Sequence, residues 1–483
     1  MIDDPLPLTF DPVSNGEYVP PPKTGSDAEA ERRVHRVAER NARRIGVSRR
    51  DFLAGACGMA ATLSTINQVY GARDGRYAIS PEMLLEPEAA AQAVDGKEFV
   101  FDVQSHHVMP DAPWRQANRP MEFFLRMLPN VGRGEKDRVK EFSRYHYLKE
   151  MFLDSDTTVA VLSAVPAAPE GQPLGDKDAD ETRRVIDRMG KSTRLLVHAL
   201  VTPNVDPLKA QLEGMERVAK EFKISAWKLY TLWGPKGGTG WWLDDEKVGI
   251  PVFEKAQELG IKLVCTHKGI PLGFLNDQKF DRPTDVGRVA KRFPGLKFLI
   301  YHSGYDPAVT EGPYDAGKAE RGVNCLIKSL EENGIKPNTN VYAELGSTWY
   351  MLMKKPDQAA HVLGKLMKHV GENNIIWGTD SIWYGTPQPQ IQAFRAFQMS
   401  DEIREKNGYP ALTKEIKAKI FGLNAAAAYA IDPKEVREAL PKDEIEKLKQ
   451  AYLERPERSY AVYGPRSRRE FLDLLSSRDG MPA

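Results

Sequence analysis

The sequence predicts an α/β fold: a (β/α)8 TIM barrel with an N-terminal extension and a C-terminal helical tail. Eight apolar runs of strand length follow one another, at Glu98 to Val103, Thr158 to Ser163, Arg194 to Leu200, Ser225 to Tyr230, Lys262 to Thr266, Lys297 to Tyr301, Val341 to Glu344 and Ile375 to Thr379. Several lead into a residue able to bind a metal or move a proton: Gln104 and His106, His267, His302, Glu344 and Asp380. In a barrel of parallel strands, residues just past the strand ends gather at one mouth however far apart they lie in sequence. Metal-ligand types collected there outline a catalytic constellation.

The 483 residues, 41% hydrophobic and 28% charged, suffice for one barrel with insertions. Residues 1–75 read as the extension, 76–432 as the barrel and 433–483 as the tail. A formal charge of +1 gives no electrostatic reason to expect nucleic acid or an anionic membrane as partner, which leaves a small-molecule substrate. Cys57, Cys265 and Cys325 build no disulfide framework and fall in no paired zinc spacing.

Residues 1 to about 30 are rich in Pro, Gly, Asp and Ser and read as an extended arm or disorder. Glu29 to Arg44 reads as a solvated or surface-docked helix with Val34 and Val37 as its clear apolar positions. Ser48-Arg49-Arg50-Asp51-Phe52-Leu53 then opens the uncharged stretch Ala54 to Ile66 and resembles a twin-arginine export signal, which would place the protein in the periplasm. A nearly identical hexapeptide, Ser467 to Leu472, recurs near the C-terminus, so the motif is weak by itself and the small uncharged sequel distinguishes the first copy. The alternative is a cytoplasmic protein whose retained N-terminal helices pack on the barrel or on a second subunit. No stretch reaches the roughly 20 apolar residues that span a bilayer.

In the first strand, residues two apart share a face, so Asp102, Gln104 and His106 point one way. Gln104 and His106 would there be metal ligands or members of a hydrogen-bonded polar cluster. His107 should face the other side. The insertion that follows reads as irregular over Pro110 to Lys136 and helical over Arg138 to Phe152, with His146 and Tyr147 as surface or packing residues. His198, mid-strand, reads as a satisfied interior histidine or a substrate contact. Lys228, on the fourth strand, would be a cation near a substrate carboxylate or an ion-pair partner of Glu344. The loop Thr231 to Leu243 combines Lys236, Gly237, Gly238 and Gly240 with Trp233, Trp241 and Trp242; it reads as a lid over an apolar or aromatic substrate, or as a subunit contact in a homo-oligomer. His267 and His302 each end a buried strand ahead of a glycine-containing loop, and Cys265 packs one layer below His267. Trp349, Trp383 and Tyr384, after the seventh and eighth strands, could line the same cavity. Asp380 follows Gly378 directly and places a carboxylate at the mouth.

From about Glu98 to Ala430 the chain resembles the amidohydrolase superfamily, in particular the amidohydrolase-related, aminocarboxymuconate-semialdehyde decarboxylase-like family. That family's Asp-x-His-x-His strand, the histidines after strands five and six and the Gly-x-Asp after strand eight fall here on Asp102, Gln104 and His106, then His267, His302 and Asp380. Gly422-Leu423-Asn424-Ala425-Ala426 looks like its closing helix. The resemblance implies one divalent metal on Gln104, His106, His267 and Asp380, with Asp380 and His302 as catalytic groups and Lys228, Trp233, Trp241, Glu344 and Trp383 as substrate contacts. Gln104 replaces an imidazole, and its neutral amide oxygen is a harder, weaker donor to zinc; zinc comes first and manganese next. The implied activity is hydrolysis of an amide, ester or lactone of a small apolar or aromatic acid by metal-bound water. Non-oxidative decarboxylation of an aromatic or unsaturated acid at the same site is the alternative, and a weakened barrel serving as a binding or assembly partner is a third.

Overall fold

The eight apolar runs form eight parallel strands in the computed structural model, which describes residues 6–13, 22–127, 135–205, 207–235, 239–271, 278–454 and 456. They are β1 Val100–Ser105, β2 Thr157–Leu162, β3 Leu195–Val201, β4 Ala226–Tyr230, β5 Leu263–His267, β6 Lys297–Tyr301, β7 Val341–Glu344 and β8 Ile375–Ile376. Each pairs with its sequence neighbour in order. The ring closes between β8 and β1: Trp377 O accepts from Val103 N at 3.0 Å and Gln104 O from Asp380 N at 2.9 Å, and Ser105 bridges Ser381. β8 is short because the chain after Trp377 turns into the site. Asn424 holds it from behind, its amide donating to Ile375 O at 2.7 Å and Glu372 O at 2.8 Å, which gives the closing helix element its physical role. Aromatic rings fill the layer outside β8, where Phe394 packs edge-on against Trp349 and Phe421.

The N-terminal extension is more ordered than its composition suggests. Leu6, Leu8 and Phe10 are buried rather than splayed into solvent, while residues 1–5 and 14–21 lie outside the described residues. A capping box between Thr24 and Asp27 starts the helix Gly25–Ile45, which buries the stripe Ala30, Val34, Ala38 and Ala42. Ser48 caps Arg49–Ala54, whose Phe52 and Leu53 are buried. The helix Ala56–Tyr70 packs against Gly25–Ile45, Pro87–Val94 and the barrel helix Gln388–Ala396. Its small residues permit that closeness, since a Cβ at Gly58 would overlap the backbone of Phe52 and Leu53. The stretch that reads as an export signal forms two helices in this fold, with Arg50 and Asp51 exposed and the apolar residues from Phe52 to Ile66 largely buried. Asp357 Oδ1 ties the extension down by accepting the N–H groups of Arg73, Asp74 and Gly75 at 2.8, 2.8 and 3.1 Å. Gly75–Tyr77 then pairs antiparallel with Phe397–Met399, a sheet too short to show as a sequence pattern.

The insertion after β1 corrects one expectation. Pro110 to Lys136 is not irregular throughout: it holds the helices Trp114–Ala117 and Arg119–Met127, the second sustained by Arg115, Arg119 and Arg126 around the Glu122 carboxylate. Arg138 to Phe152 is helical as expected, with a π-turn over Lys149–Leu153, and His146 and Tyr147 are packing rather than surface residues. The described part of the tail carries the α-helices Pro433–Ala439 and Glu444–Glu454. The second copy of the Arg-Arg motif lies outside the described residues. Among the described residues no helix is long and apolar enough to cross a membrane.

Candidate active site

Polar side chains at the C-terminal ends of β1, β5, β6, β7 and β8 converge at one mouth, all at most 2% exposed. Four non-glycine residues there have left-handed backbone: His302 (φ 65°), Ser303 (φ 54°), Ser347 (φ 54°) and Asp380 (φ 61°). Such conformations cost of order 1–3 kcal/mol each and persist where surrounding structure enforces them. Here they turn the chain ends of β6, β7 and β8 inward.

β1 presents Asp102, Gln104 and His106 toward β8, as residue parity requires. Asp102 bonds the Thr379 hydroxyl and accepts from Gln104 N at 3.0 Å; burial pushes its carboxyl up to about 7. The Gln104 amide donates through Nε2 to Asp380 Oδ1 at 3.1 Å, and its Oε1, fully buried, has no hydrogen-bond partner among the described residues. His106 donates through Nδ1 to Ser163 O at 2.8 Å, which leaves Nε2 facing Asp380 Oδ1 at 3.1 Å. Trp383 stacks on the His106 ring at 5.3 Å and 16°. His107 points away and bonds Thr182 Oγ1 at 3.0 Å, as expected.

Asp380 gathers the site. Ser347 Oγ donates to Oδ2 at 2.5 Å and also bonds Tyr384 OH at 2.8 Å. Burial alone would raise the carboxyl, but the His106 contact, the nearby His302 and the Ser347 bond hold it at about 2. Ser347 was invisible to sequence reasoning, since nothing in Gly346-Ser347-Thr348 signals that a left-handed turn aims its hydroxyl at β8.

His302 donates through Nδ1 to Gly346 O at 2.7 Å, so its Nε2 receives the Nδ1–H of His267 at 3.2 Å. Burial holds His302 down to about 4. His267 stacks on Tyr230 at 5.2 Å, and its Nε2 stands 3.7 Å from Asp281 Oδ1. Burial pushes Asp281 up to about 7; it is a second participant that sequence reading missed, because it lies in a loop fourteen residues past its partner. Glu344 accepts from His302 N through Oε2 at 3.0 Å and from Gly346 N through Oε1. Burial pushes it up to about 8.

The structure therefore brings Gln104, His106 and Asp380 together and sets His267 one imidazole further out, behind His302. Among the described residues no three His, Cys, Asp or Glu side chains already stand as a metal-holding group. The donor chemistry nevertheless fits a cation: a partnerless buried amide oxygen, and an imidazole nitrogen and a carboxylate oxygen confronting each other with the imidazole's other nitrogen already committed.

Lys228 is buried with Nζ 3.5 Å from the Tyr301 ring centroid and 4.6 Å from that of Tyr230, so aromatic faces surround the cation. Of the proposed lid, Lys236, Gly237 and Gly238 lie outside the described residues. Trp241, within the loop, is buried, its backbone N–H donating to Thr231 O at 2.8 Å, and Trp233 O accepts from Asn204 Nδ2. His198 is a satisfied interior residue, bonded to Ser163 Oγ at 2.9 Å and Tyr429 OH at 2.8 Å, with Cys265 beside it at 3.7 Å.

A family model described as amidohydrolase matches residues 106–431, more than half of the sequence, and the chain belongs to that family. Comparison with curated proteins gives no match. Among solved structures, the chain is similar to 5-carboxyvanillate decarboxylase LigW from Sphingomonas paucimobilis (17% identity, TM-score 0.42, 70% of this chain and 100% of that one). It is also similar to a 2,6-dihydroxybenzoate decarboxylase complexed with 2,6-dihydroxybenzoate (14%, 0.38, 69% and 100%) and to amidohydrolase 2 from Bifidobacterium longum subsp. infantis (15%, 0.34, 70% and 100%).

Proposed function

We propose that the chain is a metal-dependent hydrolase that cleaves an amide, ester or lactone bond of a small apolar or aromatic acid. The setting of Asp380 carries this reading. Ser347 Oγ and Gln104 Nε2 donate to it and His106 Nε2 faces it, so its surroundings favour the ionised form. An ionised carboxylate at the mouth is a base that takes a proton from water.

Gln104, His106 and Asp380 would hold the cation, with His267 the next imidazole in line. A bound divalent ion lowers the pKa of water toward about 7 and polarises a carbonyl oxygen. Asp380 would accept the proton, its Oδ2 oriented by Ser347 and its Oδ1 by Gln104. Lys228 offers its charge to a substrate carboxylate, and Trp383 presents an aromatic wall beside His106. A substrate panel incubated with metal-loaded protein tests the assignment. Hydrolytic acid release without carbon dioxide is expected; carbon dioxide release from an aromatic acid would replace the assignment with decarboxylation.

A further inference from the structure

Asp380 is held by a chain of contacts that leads out of the barrel. Ser347 Oγ carries one hydrogen and gives it to Asp380 Oδ2 at 2.5 Å, so in its 2.8 Å contact with Tyr384 the phenol is the donor. The Tyr384 hydroxyl thus orients Ser347, and Ser347 orients one carboxylate oxygen. The Tyr384 ring is backed by Tyr350, stacked on it at 3.8 Å and 14°. Tyr350 stands on the helix Thr348–Leu352, whose N-cap is Ser347 itself, so the serine and the ring that backs its partner share one short element.

The N-terminal arm comes to this element from outside. Leu6, Leu8 and Phe10 are buried, and Lys354, one turn past Tyr350, donates to Thr9 O at 3.2 Å. Burial, and after it the Asp11 carboxylate, push the Tyr350 hydroxyl well above its ordinary range, which sets Asp11 close to that ring. Lys23 ties the arm to the helix Gly25–Ile45 by donating to Asp11 Oδ1 at 2.7 Å and to Glu31 Oε2 at 2.6 Å. The arm lies outside the residues 106–431 that match the family model.

We infer that the arm, residues 6–13, is a working part of the active site: it seats Tyr350, Tyr350 seats Tyr384, and the Tyr384 hydroxyl positions Asp380 through Ser347. The catalytic half of this rests on the reading of Asp380 as the base, and the mechanical half does not. Tyr384, Tyr350 and the arm are positioning groups.

Hydrogen–deuterium exchange of the full chain tests the mechanical half without a substrate. The amides to follow are those of Met351 and Met353, bonded to Ser347 O and Trp349 O. Unseating the arm with Leu8→Asp and Phe10→Asp together is expected to speed their exchange about tenfold and leave β4 and β5 unchanged. Lys23→Met, a milder change that frees Asp11 from the first helix, is expected to speed the same amides about twofold. Unchanged exchange at Met351 and Met353 in both variants overturns the inference, and so does acceleration spread equally over β4 and β5. Turnover tests the catalytic half. Tyr384→Phe, which keeps the stacked ring, is expected to lower kcat about tenfold with KM and the thermal midpoint unchanged. Combined with the arm substitutions it is expected to lose no more than the larger single loss, because both act through one hydroxyl. Fully additive losses, or native kcat in Tyr384→Phe, overturn the positioning role. Carbon dioxide release in the substrate panel would replace the hydrolytic reading and leave the exchange result standing.

Discussion

Asp380→Asn is expected to lower turnover by about 10²–10⁴-fold while leaving the barrel folded. The amide is nearly isosteric, and its remaining oxygen can still accept from Ser347 or Gln104. It cannot take a proton from water, and it removes the negative charge that faces His106 Nε2 at 3.1 Å. Turnover on whichever substrate the panel identifies, read together with the thermal midpoint, separates the two effects. Retained turnover would remove Asp380 from the chemistry, and lost turnover with a collapsed midpoint would make it structural.

Arg194→Met is expected to cost about 3–5 kcal/mol of stability, the range for removing one partner of a buried ion pair. Arg194 stands at the N-terminal side of β3 and is 2% exposed; it donates to Thr158 O at 2.6 Å and to Asp443 Oδ2 at 2.9 Å. Asp443, fully buried, also accepts from Ile445 N at 2.8 Å and so starts the helix Glu444–Glu454. Loss of the guanidinium leaves a carboxylate buried without its counter-charge and unlatches that helix from the barrel. Replacing both residues, as Arg194→Met with Asp443→Leu, is expected to recover much of the loss, since the uncompensated charge goes too. Urea unfolding of the three proteins measures this. A single variant within about 1 kcal/mol of native would show that the tail contributes little to the fold.

The barrel was legible because each buried parallel strand is an apolar run, and parity along Phe101 to His107 put Asp102, Gln104 and His106 on one face and His107 on the other; that the shared face turns to β8 came only with the fold. Elements governed by local capping or by tertiary contact were not legible. Arg119–Met127 is held by arginines converging on Glu122, and the Gly75–Tyr77 strand exists because Asp357 and Phe397–Met399 are there to receive it. In the site, residue types at strand ends named Asp380, His106 and His302, but not how the imidazoles face one another. That depends on left-handed backbone at His302, Ser303 and Ser347, which no side-chain pattern encodes. Glu344 was read as a substrate contact; its position beside Gln104 depends on Gly346 and Gly378, whose missing side chains matter only once β7 and β8 are adjacent.

Anomalous diffraction from crystals grown with manganese tests most directly whether a cation is gripped at the mouth. The expected result is a single strong peak within about 2.0–2.2 Å of His106 Nε2 and an Asp380 oxygen, with Gln104 Oε1 turned toward it. A map without a peak there, with His106 Nε2 still 3.1 Å from Asp380 Oδ1, would contradict it.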